Sequence, residues 1–278
     1  MPGARAAKPA VPPGRYRNGK RMKLWTRFKT AHGRIGFGLL QGDHILEHRG
    51  SLFDQPIATG ATIARDAVDL LCPCEPSKIV ALWNNFHALG AKLGKAAPSH
   101  PLFLIKPATS LSGPNAVIRR PASYAGKIVF EGELGVVIGK RASNVSEEAA
   151  RDHILGYTLV NDVTAAEIIE QDGNFAQWTR AKGFDTFGCI GPVIAQDFDW
   201  REAELVTRLD GTERQRYALS DMIFNPWQLV ARLSQDMTLL PGDVIAVGTS
   251  IGVGSMKEGA LVEVSIDGLG TLANRMGG

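Results

Sequence analysis

Short apolar runs separated by polar turns dominate the chain from Lys23 onward. Over residues 23–47 the order is strand, turn, strand, turn, strand: LWTRF, RIGFGLL, the Gln41-Gly42-Asp43 turn and HILEH. Apolar residues that recur every second position suit a sheet buried on one face, and glycine-bearing turns let the chain reverse. The pattern predicts a small N-terminal β-meander. In IARDAVDLL the spacing of Ile63, Ala67, Leu70 and Leu71 instead predicts one helical face within residues 60–71. Cys-Pro-Cys-Glu-Pro then breaks the chain and marks a linker at 72–77.

Beyond Ser77 the runs KIVAL, PLFLIK, NAVIRR, GELGVVIG, GYTLVNDVT, GPVIA, LVTRLDG, DVIAVGT, LVEVSID and GTLANR read as strands. Helices are expected at about 83–93, at about 146–155 with Ser146 as N-cap and Gly156 as C-cap, and at about 226–235. Many strands with isolated helices predict a mainly β, α+β fold with a rolled or sandwiched mixed sheet, not an alternating βαβ fold. The expected organisation is a basic tail at 1–21, a small β domain with its linker at 22–76 and a larger domain at 77–278.

Charge changes this picture only at the N-terminus. The formal net charge is +3, but residues 1–30 hold nine Lys or Arg and no acid. From residue 31 onward 22 basic residues face 28 acidic ones. An acidic body argues against a nucleic-acid partner, which would select a basic stripe on the folded domain. The tail, rich in Pro, Ala, Gly and Arg, is expected to be disordered; a vector-derived leader, an over-long gene start before Met22 and a weak organelle-targeting segment all stay open. No apolar run is long enough for a membrane-spanning helix. The three cysteines, Cys72, Cys74 and Cys189, fit a reducing compartment, so a cytoplasmic location is expected.

The candidate chemistry starts with Phe130-Glu131-Gly132-Glu133-Leu134. Two glutamates two residues apart on a strand project from one face, and their like charges need a cation or a solvated edge to coexist. Asp162 lies inside a second apolar strand, where an acid is costly without a partner. Glu131, Glu133 and Asp162 together form an oxygen-only ligand set for a hard cation, Mg²⁺ or Mn²⁺, with Ca²⁺ as a third option. Gly132 and Gly135 are expected to leave room for a ligand.

From about Met22 to the end the chain resembles the fumarylacetoacetate hydrolase superfamily. The blocks PLFLIKPATSLSGP, FEGELGVVIGKR, GYTLVNDVTAAE, KGFDTFGCIGPVI and LLPGDVIAVGTSIGVG carry the likeness by their joint occurrence in order. The resemblance implies that Glu131, Glu133 and Asp162 ligate the metal and that Lys182 lies beside it, where it could stabilise an enolate or shuttle a proton. It also implies that Gly248 and Thr249 offer a backbone N–H and a hydroxyl to a substrate carboxylate, that Lys106 and Ser110 approach the substrate, and that the protein is a homodimer. Lys106 at a strand end and Lys182 on the surface are the plainer readings of those two residues.

Hydrolytic members of that superfamily carry, on a mobile lid, a His followed three residues later by Glu, which activate water. Here the closing Leu93-Gly94 aligns Leu89 and Lys92 with that pair, and sliding His87 into register leaves Gly90 as its partner. His87 therefore stands as a candidate base without a carboxylate in helical reach, or as a packing residue beside Phe86. The expected activity is metal-dependent cleavage of a C–C bond in a small 2-oxo or β-diketo acid, by hydrolysis or decarboxylation through an enolate. An isomerase resembling those acting on 2-hydroxyhepta-2,4-diene-1,7-dioate is the alternative, and a metal-binding protein without catalysis is a third reading.

Overall fold

The computed structural model describes residues 22–278, so the expectations for the basic tail lie outside the described residues. The chain opens with β1 (Lys23–Thr30), β2 (Ile35–Gln41), β3 (His44–Ser51) and β4 (Asp54–Ala64), an antiparallel meander, and β5 (Val68–Leu71) returns to pair with β1. The helix expected within 60–71 is not formed. β4 runs through Ala64, one 3-10 turn covers Arg65–Ala67, and β5 follows. Leu70 pairs with Phe28, and Val68 and Leu70 are buried in the core, so cross-strand packing outweighs the helical spacing.

After the linker come β6 (Ile79–Trp83), helix α1 (His87–Leu93), β7 (Leu102–Lys106), β8 (Leu111–Ser112), β9 (Val117–Ile118), β10 (Ile128–Phe130) and β11 (Gly132–Ile138). Then follow α2 (Glu147–Ala150), β12 (Ile154–Asp162), β13 (Thr164–Ala165), α3 (Trp178–Lys182) and β14 (Gly188–Gln196). The last stretch holds β15 (Glu204–Leu209), β16 (Thr212–Ala218), α4 (Pro226–Asp236), β17 (Val244–Ala246), β18 (Gly254–Ser255), β19 (Leu261–Ile266) and β20 (Gly270–Met276). The fold is mainly β, as the strand-rich pattern predicts.

A twelve-stranded sheet runs β4-β3-β2-β1-β14-β12-β11-β17-β6-β7, with β5 added on β1 and β8 on β14. The chain leaving β7 turns back within a few residues, and β8 pairs in parallel with β14. With Leu104 of β7 and Ile190 of β14 in one buried cluster, the sheet curls into a roll. Apolar residues at every second position fill the inside of the roll, among them Ile79, Ala81, Leu104, Val137, Val160 and Ala246. The intervening residues face outward, where Leu134, Val136 and Leu159 join Leu205, Val264 and Leu272 of a second sheet, β16-β15-β19-β20-β9. Fully burying such a side chain stabilises the fold by about 1.5 to 3 kcal/mol.

The helices are shorter than the sequence suggests, except α4. Asn225 caps α4 in a reciprocal capping box with Gln228, and Pro226 opens it. Ser146 caps α2, its side chain accepting from Ala149 N–H, but the element is one turn of α-helix and one of 3-10 before β12 takes over at Ile154. α1 starts at His87 because the preceding residues have other partners. Trp83 ends β6, Asn84 has a positive φ of 54°, and the Asn85 side chain is buried against Phe224 and Val247.

Candidate metal centre

β11 and β12 are antiparallel neighbours in which Gly132 opposes Asn161 and Glu133 opposes Val160. One step further the Asp162 N–H donates to the Glu131 carbonyl at 2.9 Å, so the third acid arrives beside the other two. One carboxylate oxygen from each of Glu131, Glu133 and Asp162 lies within 4.8 Å of the others. Glu133 and Asp162 are fully buried, and Glu131 is partly open to solvent.

Two lysines enter the cluster from outside β11 and β12. Lys182, at the end of α3, donates to Glu131 Oε2 at 2.8 Å, Asp162 Oδ2 at 2.8 Å and Thr164 Oγ1 at 2.7 Å. Lys106, the last residue of β7 and fully buried, donates to Asp162 Oδ1. Burial alone would raise the Asp162 carboxyl, but the two ammonium groups outweigh it and hold Asp162 below its ordinary range. Burial lowers Lys106, an effect its contact with Asp162 only partly offsets. For Lys182 burial is outweighed by Asp162, Glu131 and Glu133, which hold the ammonium above the usual lysine range.

Glu133 makes no direct contact with either ammonium group, and Lys182 offsets its burial only partly. Burial first, then the Asp162 and Glu131 charges, push its carboxyl well above the ordinary range. Its Oε2 accepts from the Gly248 N–H at 2.9 Å, while Oε1 is buried with no hydrogen-bond partner. An unsatisfied buried carboxylate oxygen costs about 1 to 3 kcal/mol or more. Three carboxylates against two ammonium groups leave one negative charge uncompensated, and the orphaned oxygen belongs to that cluster. The residues therefore fit a divalent cation held by Glu131, Glu133 and Asp162.

The loop after β17 is turned onto this cluster. Gly248, at φ +95°, points its N–H at Glu133, and Thr249 donates its hydroxyl to the Gly132 carbonyl at 2.9 Å. Both groups expected to meet a substrate carboxylate are thus engaged within the protein. The two glycines expected to make room for a ligand make room for packing instead. A side chain at Gly132 would meet Thr207 Oγ1 at 2.1 Å, and one at Gly135 would meet Thr158 and Val160 at 2.8 Å.

Ser110 and His87 stand apart from the cluster. The Ser110 hydroxyl donates to the Pro107 carbonyl at 2.8 Å and so closes the turn between β7 and β8. His87 is exposed on the first turn of α1. The carboxylate nearest this helix start comes from elsewhere in the chain: Asp221 accepts from the Ala88 N–H at 3.0 Å.

Three further residues build the site and escape a sequence reading. Gln215 on β16 accepts from the Gly132 N–H at 3.1 Å and donates to Thr249 Oγ1 at 2.9 Å. Tyr217, two residues on and hence on the same face, donates to the Gly132 carbonyl at 2.6 Å. Thr164 lies 3.0 Å from Glu131 Oε1 and accepts from Lys182. The alternation of Gln215 and Tyr217 with Arg214 and Arg216 is the one signal that β16 buries polar side chains.

Comparison with known proteins agrees with this architecture. Residues 78–277 match the family described as fumarylacetoacetate (FAA) hydrolase C-terminal, and residues 22–73 match one described as Rv2993c-like, N-terminal. Protein Rv2993c of Mycobacterium tuberculosis is 43% identical over 225 residues, covering 80% of this chain and 83% of that protein. The oxaloacetate tautomerase YisK of Bacillus subtilis is 35% identical over 216 residues, 73% of this chain and 71% of its own.

Among solved structures, the 2-hydroxyhepta-2,4-diene-1,7-dioate isomerase of Mycobacterium marinum is 38% identical with a TM-score of 0.83, covering 92% of this chain and 98% of that one. The 5-carboxymethyl-2-hydroxymuconate delta-isomerase of Mycobacterium smegmatis is also 38% identical, with a TM-score of 0.84 and coverage of 92% and 99%. Fumarylpyruvate hydrolase from Pseudomonas aeruginosa, in complex with Mn²⁺ and pyruvate, is 28% identical with a TM-score of 0.67 over 75% of this chain and 91% of that one. With a family match spanning most of its length, the chain belongs to the fumarylacetoacetate hydrolase family.

Proposed function

We propose that the protein is a divalent-metal enzyme that interconverts the enol and keto forms of a small 2-oxo acid. The observation that carries this reading is the lid helix itself. α1, with the sequence HALGAKL, holds no carboxylate, so no acid within helical reach of His87 orients it to activate water. Tautomerisation needs no water. The relatives at 35 to 38% identity that are named for a reaction are an oxaloacetate tautomerase and two isomerases, which supports the isomerase reading over C–C cleavage.

A divalent ion held by the three carboxylates would supply Lewis-acid stabilisation of an enolate oxygen. Lys182, kept protonated by the acids around it, would hold a positive charge near the same oxygen. Lys106 holds Asp162 from the inner side and keeps its second oxygen in place. His87, exposed on α1 and apart from this cluster, has no essential step in this reading.

The test is incubation with Mg²⁺ or Mn²⁺ and a panel of oxaloacetate, acylpyruvates and oxo-heptadienedioates in deuterated water, read by ultraviolet absorbance and mass spectrometry. Loss of the enol band with deuterium at the carbon beside the oxo group, and no fragment, is the expected result. Cleavage fragments would favour hydrolysis, a reading supported by the similarity to fumarylpyruvate hydrolase. Tight Mn²⁺ binding with neither outcome would mark a metal-binding protein without catalysis. We also propose a homodimer, because β4 leaves an exposed edge at one end of the large sheet, and light scattering should give about twice 29.9 kDa.

A further inference from the structure

The sheet register places an aromatic pair along the same wall as the carboxylates. Gly135 of β11 pairs with Ala246 of β17, Ala246 with Ala81 of β6, and Ala81 with Leu104 of β7. Ala246, Ala81 and Leu104 all face the inside of the roll. Two residues further toward one end, the same row reads Glu133, Gly248, Trp83 and Leu102. The hydrogen bond from Gly248 to Glu133 and the pairing of Trp83 with Leu102 confirm it at both ends. Because side chains two apart on a strand share a face, Trp83 points into the mouth of the roll as Glu133 does. The two inter-strand spacings between them, across β17, amount to roughly 10 Å along the wall.

Trp178 completes the pair. It begins α3, and its ring centroid lies 5.4 Å from that of Trp83 with the planes at 47°. Four residues on, at the other end of the same helical face, Lys182 contacts Glu131 and Asp162. The Thr179 hydroxyl donates to the Ile105 carbonyl, which anchors α3 across the mouth beside β7. Both indoles are half-buried, and Leu102 next to Trp83 is 40% exposed. The mouth of the roll thus carries the carboxylates and, along the same wall, two partly exposed indoles.

We infer that Trp83 and Trp178 determine specificity by stacking on a planar conjugated group, an aryl ring or a diene, attached beyond the oxo carbon of the substrate. A molecule chelated through its carboxylate and oxo oxygens to a cation held by Glu131, Glu133 and Asp162 would have the row toward Trp83 open to its remaining carbons. Flat unsaturated groups gain from indole contact beyond the area they bury, whereas a short polar tail gains little. This inference rests on the tautomerase reading for the orientation of the acid, not for the existence of the wall.

The test compares two inert chelators in the presence of Mn²⁺, oxalate and N-phenyloxamate, which share the chelating end and differ by the planar tail. Calorimetry on the full chain should show that N-phenyloxamate binds more tightly than oxalate. In Trp178→Leu and in Trp83→Leu that preference should fall about tenfold, while Trp178→Phe keeps most of it. A preference unchanged in both leucine variants would overturn the inference. So would a leucine variant whose loss of preference is matched by loss of Mn²⁺ binding, since the pair would then only pack α3 against the sheet. A wild-type protein that shows the preference but does not interconvert enol and keto forms would remove the tautomerase reading alone.

Discussion

The phenol of Tyr217 donates to the carbonyl of Gly132, the residue between the two glutamates of the metal site, at 2.6 Å. Gln215 holds the N–H of the same residue, so the peptide on either side of Gly132 is gripped from the second sheet. Removing one bond should tilt the glutamates without unfolding the chain. Tyr217→Phe is expected to lower Mn²⁺ affinity about fivefold and to cost about 1 kcal/mol of stability, whereas Gln215→Leu, which removes the hydrogen bonds to Gly132, Thr249 and Ser250, should cost about 1 to 3 kcal/mol. Calorimetric titration beside thermal melts separates the two effects.

Glu133→Gln should reduce Mn²⁺ affinity by at least about a hundredfold, because it removes the ligand oxygen that has no other partner. The same change should raise the melting temperature of the metal-free protein at pH 7, since burial and two neighbouring carboxylates oppose ionisation at that position. A lower melting temperature in the metal-free variant would contradict this account of the site.

Lys182→Met is expected to lower turnover about 10² to 10³-fold, because an enolate would lose its nearby positive charge and Glu131 and Asp162 would lose their shared donor. His87→Ala should be nearly silent if the metal and Lys182 do the work between them. A pH-dependent loss of about 10² or more in His87→Ala, with normal Mn²⁺ binding, would restore the imidazole as the base and hydrolysis as the leading activity.

The three cysteines should stay unreactive in the native protein. All are buried, and burial pushes the Cys189 thiol up to about 11. With the folded value above the unfolded one, the stabilising contribution is full below about pH 8.5 and is lost as pH rises through about 11. Ellman's reagent at pH 8 should label none of the thiols until denaturant is added, and melting temperature should fall over the alkaline range.

The carboxylate triad is legible in the sequence because two local signals coincide: a Glu-x-Glu at strand period and an acid stranded in an apolar run. Lys182 and Lys106 are legible only through family likeness, since nothing local shows that a residue at the end of β7 and one at the end of α3 meet at Asp162. The span at 60–71 misleads because β4, a single 3-10 turn and β5 together reproduce the helical spacing of Ile63, Ala67 and Leu70. Gln215 and Tyr217 stay hidden for a different reason. Their strand, TERQRYA, offers only the alternation of Gln215 and Tyr217 with two arginines, and what that face meets becomes apparent only once β16 is packed behind Gly132.

The pairing of β1 with β14 bears on how the chain can be cut. The family matches divide near residues 73 and 78, yet Trp25 opposes Ile194 across a continuous ladder, and both side chains lie in one buried cluster. The seam between the two matched segments is therefore a boundary of sequence history and not of mechanical independence. A chain begun at residue 78 would expose the edge of β14 at residues 194–196 and the apolar surface that Trp25 covers, an invitation to self-association that an intact meander forecloses.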